Sequence, residues 1–357
     1  MQDPTLVIDF GSGFVKAGFA GSNTPSLVFP TLIGRQRHAK VASGSEPLVG
    51  EAAQTSSEVI PKSVIERGSI KNFHDFCVLV NYIYQSMDLR TENNNVLIAR
   101  PSGTDTKQLE TITEYFLETL RVPSISFISS AALSILSTGH VTGIVAECGY
   151  GVTNVVPIFE SYGLEHARIT SELGGYDVDN SLKTLLKKIG MTENDNAAVH
   201  EVKEQLCYVR TSKDAPELPP APYEMPSGMR LNIGPERYLG AECLFDPSLI
   251  NSDAQGLSNS IATSIGRCDQ YLRKDLIGNV VISGGSTMFP GMAERIENDL
   301  KASLQANPRI IAAPERKYGA WVGGSIFAAT PVFEQFQIKK VDWDSKKEKI
   351  FRQKSFM

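Results

Sequence analysis

Leu6-Val7-Ile8-Asp9-Phe10-Gly11-Ser12-Gly13 returns 138 residues later as Ile144-Val145-Ala146-Glu147-Cys148-Gly149-Tyr150-Gly151. Each copy is an apolar run, then a carboxylate, then two glycines separated by one residue. A second apolar strand follows each copy, Val15 to Phe19 and Val155 to Ile158. The pattern predicts two β-hairpins facing each other across a cleft. Glycine at both positions is expected to supply positive φ and to let backbone N–H groups come close to a phosphate. The leading carboxylate suits a hydrated divalent cation on that phosphate. One Gly-x-Gly hairpin is an ordinary turn; two matched copies point to a duplicated domain that clamps a nucleotide from both sides.

Composition narrows the class. The chain has 357 residues, enough for about two domains, and is 41% hydrophobic and 21% charged. Its net charge is −5 and it has no large basic run, which argues against direct nucleic-acid binding. The mixed segment Lys346-Lys347-Glu348-Lys349 reads as solvated surface. The five cysteines, Cys77, Cys148, Cys207, Cys243 and Cys268, form no Cys-x-x-Cys pair. Their spacing argues against a zinc site or disulfide framework and for a reducing cytosol or nucleus. Met1-Gln2-Asp3-Pro4-Thr5 lacks the features of a signal peptide, so none is expected, and no apolar run is long enough to span a bilayer.

Along the chain, residues 5–32 read as a β-meander and residues 34–50 as an exposed polar loop. Helical spacing is expected over 73–88 and from Thr106 to Leu120, with a short buried strand at Val96 to Ala99 between them. The second half repeats the order, with strands near 143–147 and 153–159. One helix starts near Asp177 and another runs from Asn194 to Val209. A Pro-rich loop, Ala215 to Tyr223, precedes a small hairpin at 224–233. A helix over 257–273 should bury Ile261, Ile265 and Tyr271. Strand Asn279 to Ile282 meets Ser283-Gly284-Gly285-Ser286-Thr287-Met288, whose glycine pair lets the backbone pass close to an adenosine or α-phosphate. A helix from Pro290 to Leu304 and a closing helix at 318–333 complete an α/β chain with a mixed sheet in each half.

Four segments carry a resemblance to actin and the actin-related proteins that spans essentially the whole chain. They are Val7 to Gly21 (VIDFGSGFVKAGFAG), Lys203 to Val209 (KEQLCYV), Val281 to Gly291 (VISGGSTMFPG) and Ala313 to Ile326 (APERKYGAWVGGSI). The resemblance implies the actin-like ATPase fold: two duplicated α/β domains, four subdomains, and ATP or ADP with Mg2+ or Ca2+ in the cleft. The implied subdomains are 1–30 with 64–137 and 319–357; 31–63; 138–173 with 253–318; and 174–252.

The implied roles are as follows. Ser12, Gly13, Phe14 and Lys16 form the first phosphate loop, with Lys16 neutralising the β-phosphate. Gly149, Gly151 and Val152 form the second. Asp9 and Glu147 flank the cation through water. Gly175, Lys203 and Glu204 meet the sugar and base. Gly284, Gly285, Ser286 and Met288 close on the adenosine side, with Lys317 near the adenine. Taken alone, Lys203, Glu204 and Lys317 read as solvated surface charges; the aligned motifs reverse that reading.

The departures are selective. Ser130 stands where actins place the glutamine that orients the attacking water, in a register anchored by Leu133-Ser134 and Thr142-Gly143. Glu147 replaces the aspartate of the second loop, Tyr150 its second acidic residue and Asn154 the following histidine. Arg67 replaces the modified histidine of the sensor loop, Thr170 the arginine at the phosphate exit, and Phe10 the asparagine of the first loop. Groups that hold a triphosphate survive, whereas groups that position water change. The expected activity is at most a weak ATPase, with Ser130 and Glu147 as altered catalytic positions.

For polymer contacts the resemblance implies an apolar groove at Leu136, Tyr162, Val322, Ile326 and Phe327 that would receive actin-binding-type proteins or the next subunit. It also implies a plug region at Leu249-Ile250-Asn251-Ser252 and shortened loops at Ala39 to Leu48 and Arg210 to Tyr223. The tail ends Lys354-Ser355-Phe356-Met357, with serine in place of the usual cysteine. Three functions compete. The first is an ATP-binding cytoskeletal protein of the cytoplasm that forms filaments or minifilaments with itself or other actin-family subunits. The second is a monomeric actin-related subunit of a chromatin-remodelling, dynactin-type or ciliary complex, which leaves a nuclear place open. The third, a sugar or acetate kinase, lacks a sugar-binding loop with its catalytic aspartate. Near-actin loop spacing favours the first; the shortened loops and polar plug tip keep the second open. No membrane partner is expected.

Overall fold

The computed structural model describes residues 4–36, 46–191, 196–225, 228–347 and 349–354. The chain forms two compact units. One is made of 1–141, 160–163 and 318–357, and the other of 142–159 and 164–317.

In the first unit a six-stranded sheet runs in the order Ile338–Lys339, Ser124–Ser129, Val96–Arg100, Leu6–Phe10, Phe14–Phe19, Leu27–Pro30. The three central strands are parallel, and the hairpin strands are antiparallel. Leu6, Val7 and Ile8 are fully buried because helices cover the sheet. Helix Phe73–Ser86 begins at Asn72, whose side chain accepts the N–H groups of His74 and Asp75. It packs Phe76, Leu79, Val80 and Ile83 into the core. Elsewhere in the unit, helix Gly319–Ala328 lies close against helix Ser130–Leu136. A Cβ on Gly323 would stand 1.8 Å from the Leu133 carbonyl oxygen, so only glycine permits the approach. Trp321 donates its indole N–H to the Val7 carbonyl at 3.0 Å and locks that helix to the sheet.

The second unit repeats the plan. Thr153–Phe159, Gly143–Cys148, Val280–Ser283 and Ile310–Ile311 lie side by side, with Ile169–Ser171 paired to Thr153–Phe159. Helices Gly175–Lys188, Asn196–Leu206, Leu257–Arg267 and Met292–Leu304 supply Val178, Leu182, Val202, Ile261 and Ile296 to one core. The duplication extends to register. Leu6 opposes Phe19 and Val96, and Ile144, 138 residues on, opposes Pro157 and Val280.

Several expectations are corrected. Residues 34–50 are not one exposed loop: Leu32–Gln36 and Leu48–Val49 are strands of a three-stranded sheet with Val59–Ser63, and Gly34 is buried. Residues 37–45, and with them most of the Ala39 to Leu48 loop, lie outside the described residues, as do 355–357 of the tail. The small hairpin is Ala221–Glu224 with Arg230–Ile233, so it begins inside the expected Pro-rich loop. The helix over 257–273 is two helices, Leu257–Arg267 and Gln270–Gly278, because Cys268 adopts an extended conformation (ψ 156°). On the second helix Leu272 is buried and Tyr271 is 76% exposed. The helix begun near 318 ends at Ala328. A 3-10 segment, Pro331–Phe336, and helices Lys340–Lys346 and Lys349–Lys354 follow it.

Candidate functional site

Each hairpin is closed by the same bond. The Gly11 N–H donates to the Phe14 carbonyl at 3.1 Å, and the Gly149 N–H donates to the Val152 carbonyl at 2.9 Å. The expected positive φ is absent, since Gly11, Gly13, Gly149 and Gly151 all lie outside the positive-φ set of the described residues. Space is the reason for glycine: a Cβ on Gly11 would lie 2.8 Å from the Phe14 oxygen, and one on Gly149 would lie 3.3 Å from the Val152 oxygen. The N–H groups of Ser12 and Gly13, and of Tyr150 and Val152, donate to no backbone carbonyl among the described residues. Successive turn amides such as those of Ser12 and Gly13 suit an anion.

In the first unit the strands set Asp9 opposite Lys16, and Lys16 Nζ donates to Asp9 Oδ2 at 2.7 Å. Thr31 fastens the turn by donating Oγ1–H to the Gly11 carbonyl at 2.6 Å. The Gly68 N–H donates to Ser12 Oγ at 3.0 Å, which ties the first loop to the turn containing Arg67, itself at φ 49°. Phe10 is buried against Phe76, with ring centroids 4.7 Å apart.

In the second unit the Gly149 carbonyl accepts both the Gly175 N–H at 3.0 Å and the Ser286 hydroxyl at 2.8 Å. Gly284 has φ 93°, and a Cβ there would sit 2.4 Å from the Cys148 oxygen. Its N–H donates to the Arg316 carbonyl at 3.0 Å, and the Arg316 guanidinium returns to Thr287, which holds the segment before Lys317 beside the glycine pair. Gly285, Met288 and Lys317 are exposed.

Lys203 is not a solvated surface charge. Its side chain is only 7% exposed, with Nζ 2.8 Å from Asp179 Oδ1, 3.0 Å from His200 Nδ1 and 3.5 Å from the Gly175 carbonyl. It also lies over the Tyr150 ring, 5.3 Å from the centroid. His200, Lys203 and Glu204 share one helix face by their spacing of three and four residues. His200 meets Asp179 through Nδ1 and Glu204 through Nε2, each at 3.3 Å. Its hydrogen bond to Asp179, then that to Glu204, raises its pKa to about 9. Burial opposes the Asp179 charge, but His200 and Lys203 outweigh it and hold the carboxyl below its ordinary range. Glu204 is lowered chiefly by His200. Burial, then Asp179, pushes the Tyr150 phenol up. The sequence reading missed Asp179 and His200; the signal available was the position of His200 one helical turn before Lys203.

Among the positions that the resemblance ties to hydrolysis, Ser130 is 8% exposed at the start of its helix, and Glu147 is partly exposed on Gly143–Cys148. The register partner of Glu147 is Asn154, which occupies the place that Lys16 holds in the first copy. Asn154 is buried, and its Oδ1 accepts the Thr170 hydroxyl at 2.8 Å, so two of the departures bond to each other. Among the described residues, no three His, Cys, Asp or Glu side chains form a metal cage.

The expected apolar groove is corrected in one member. Tyr162 (52%) and Ile326 (44%) are exposed, and Leu136 and Val322 are half-buried. Phe327 is core, 8% exposed and edge-on to Phe333 and Phe336. In the plug region Leu249 is exposed and Asn251 takes a left-handed conformation, φ 55°. No helix among the described residues is long and apolar enough to cross a membrane.

The family described as Actin matches residues 2–356. Centractin of Schizosaccharomyces pombe is 35% identical over 369 aligned residues, which cover 98% of this chain and 97% of that protein. The hairpin duplication thus stands within a match of nearly full length, and the chain belongs to the actin family, with its actin-like ATPase fold.

Proposed function

We propose that this chain is a nucleotide-binding actin-related subunit that works by assembling with itself or with other actin-family subunits in the cytoplasm, and that it turns ATP over slowly. The observation that carries this reading is the contrast between retained holding groups and altered water-positioning groups. Each unit carries its own donors for a nucleotide: the hairpin amides and Lys16 beside Asp9 in the first, and the hairpin amides with buried Lys203 beside Gly175 in the second. Bound ATP with a divalent cation would supply the polyanion that such donors suit. Ser12 and Lys16 would hold phosphate oxygens, Asp9 and Glu147 would hold water on the cation, and Lys203, Glu204, Gly284, Met288 and Lys317 would hold the sugar and base. Buried Ser130 is too short to reach as a glutamine does, and Asn154 is occupied by Thr170. Hydrolysis therefore lacks a well-placed water. The similarity to Centractin supports an actin-related subunit, and the four-subdomain division remains our proposal alongside it.

Two measurements on one preparation test this. Denatured protein should release ATP or ADP, and ATP with magnesium should raise the melting temperature. Sedimentation with ATP, magnesium and salt should show self-assembly. A preparation that binds no nucleotide overturns the reading. One that binds ATP but stays monomeric favours the second reading, a single subunit inside a larger complex, to which the polar tip of the plug also points.

A further inference from the structure

The His200 ring is placed between two groups that ask opposite things of the same nitrogen. Nδ1 lies 3.0 Å from Lys203 Nζ, which can only donate, and 3.3 Å from Asp179 Oδ2, which as a carboxylate can only accept. A neutral ring with a bare Nδ1 accepts from Lys203. A protonated ring donates to Asp179 and can no longer accept from Lys203. In the neutral state Lys203 donates to His200 and, at 3.5 Å, to the Gly175 carbonyl, with Asp179 Oδ1 as its ion-pair partner at 2.8 Å. In the protonated state one N–H of a nearly buried ammonium loses its acceptor. An unmet buried donor is costly, so a ligand acceptor at that point gains what the protein has given up.

We propose that Asp179 and His200 are positioning residues for Lys203, which offers a hydrogen bond to the sugar or base of a bound nucleotide when His200 is a cation and withholds it when His200 is neutral. The proposal rests on the nucleotide-binding reading above. Charge balance supports it. Cationic His200 and Lys203 face anionic Asp179 on the neighbouring helix and Glu204 on their own, with Lys317 acting on Glu204 from the segment after Arg316. Tyr150 packs its ring edge-on to His200 with centroids 6.3 Å apart. Tyr176 and Asp177 also act on Tyr150. The elevated pKa of His200, about 9, keeps the cationic form dominant near neutrality.

The test is calorimetric binding of ATP with magnesium from about pH 7 to about pH 10, beside an NMR titration of the His200 ring without nucleotide. In the wild type, Kd should rise about tenfold per unit as pH passes the His200 midpoint, then level off. His200→Gln should bind weakly with no such rise, and His200→Arg should bind tightly across the range. Asp179→Asn should move the ring midpoint back toward that of ordinary histidine. A flat wild-type profile, or His200→Gln indistinguishable from wild type, overturns the proposal and leaves ATP binding standing. An unmoved midpoint in Asp179→Asn also overturns it. Lack of any ATP binding by the wild type overturns this inference together with the reading it rests on.

Discussion

Lys16 donates to Asp9 across neighbouring antiparallel strands, Nζ to Oδ2 at 2.7 Å, and the residues at the same register of the second hairpin are Asn154 and Glu147. The two copies share a backbone but differ in charge. The first offers an ammonium and a carboxylate, whereas the second offers a neutral amide and a carboxylate. Only the first can present a cation to a phosphate. Lys16→Ala should therefore weaken ATP by at least about tenfold, or about 1.4 kcal/mol, and should remove most of the ATP-dependent rise in melting temperature. Asn154→Ala should cost ATP binding little. Equal losses in calorimetry would show that the hairpins act alike and that the charge difference is idle.

The glycine pair makes a second, sharper contrast. Gly284 needs φ 93° and has the Cys148 oxygen 2.4 Å from where a Cβ would stand, whereas a Cβ on Gly285 meets nothing within 4 Å. Gly284→Ala should lose about 1–2 kcal/mol to the backbone alone, with the overlap adding to it. Its melting temperature should fall by about 4 °C or more. Gly285→Ala should stay close to wild type in thermal unfolding. A Gly284→Ala protein as stable as Gly285→Ala would refute the strain argument.

Ser130 leads to a kinetic prediction. ATP hydrolysis under assembling conditions should be slower than in conventional actin, because buried Ser130 is shorter than the glutamine whose place we propose it takes and Asn154 is held by Thr170. Ser130→Gln should restore only part of the rate, since one member of a water network acts non-additively with the rest. The check is a phosphate-release time course. A wild-type rate equal to that of conventional actin, or full restoration by the single change, would show that the network is not the limit.

The two hairpins and the Gly284 turn were legible because their signals are local: a carboxylate, spaced glycines and flanking apolar strands. Ser124–Ser129 and helix Ser130–Leu136 were not. All six residues of that strand are buried, yet half are serine, so hydropathy hides it. The serines are buried only because each finds a distant partner: Asn95 for Ser124, the Phe336 carbonyl for Ser126 and Ser102 for Ser129. The break at Cys268 was hidden because nothing in the local pattern marks it: Ile261, Ile265 and Tyr271 read as one helical face, and an extended Cys268 ends the first helix before Tyr271. Lys203 looked like surface for want of Asp179, which is close in space but 24 residues away in sequence.

His200 also links stability to pH. Its folded pKa, about 9, lies above the ordinary value of 6.5, so its pairing with Asp179 and Glu204 stabilises the fold fully below about pH 6.5 and is lost as pH rises through about 9. The melting temperature of the wild type should exceed that of His200→Gln near pH 6 and converge on it above the folded midpoint. A gap that widens with rising pH would reverse the sign and contradict the pairing.

The proposed apolar groove should separate contact from core. Tyr162 and Ile326 are about half exposed, and Leu136 and Val322 are half-buried. Exposed apolar side chains clustered on one face suit a partner's helix or loop. Phe327 follows Ile326 in the chain but turns about 100° round the helix, where it packs among Phe333, Phe336 and the buried sheet. Charge therefore has opposite meanings at adjacent positions. Tyr162→Asp and Ile326→Asp should leave thermal stability and ATP binding near wild type and should abolish assembly in sedimentation and electron microscopy. Phe327→Asp places an unpaired carboxylate in the core and removes an aromatic side chain, a loss of about 3–5 kcal/mol. It should fail by unfolding, with ATP binding lost alongside assembly. If Tyr162→Asp and Ile326→Asp assemble normally, this face is not a subunit contact. If they unfold as Phe327→Asp does, their exposed side chains belong to the core after all.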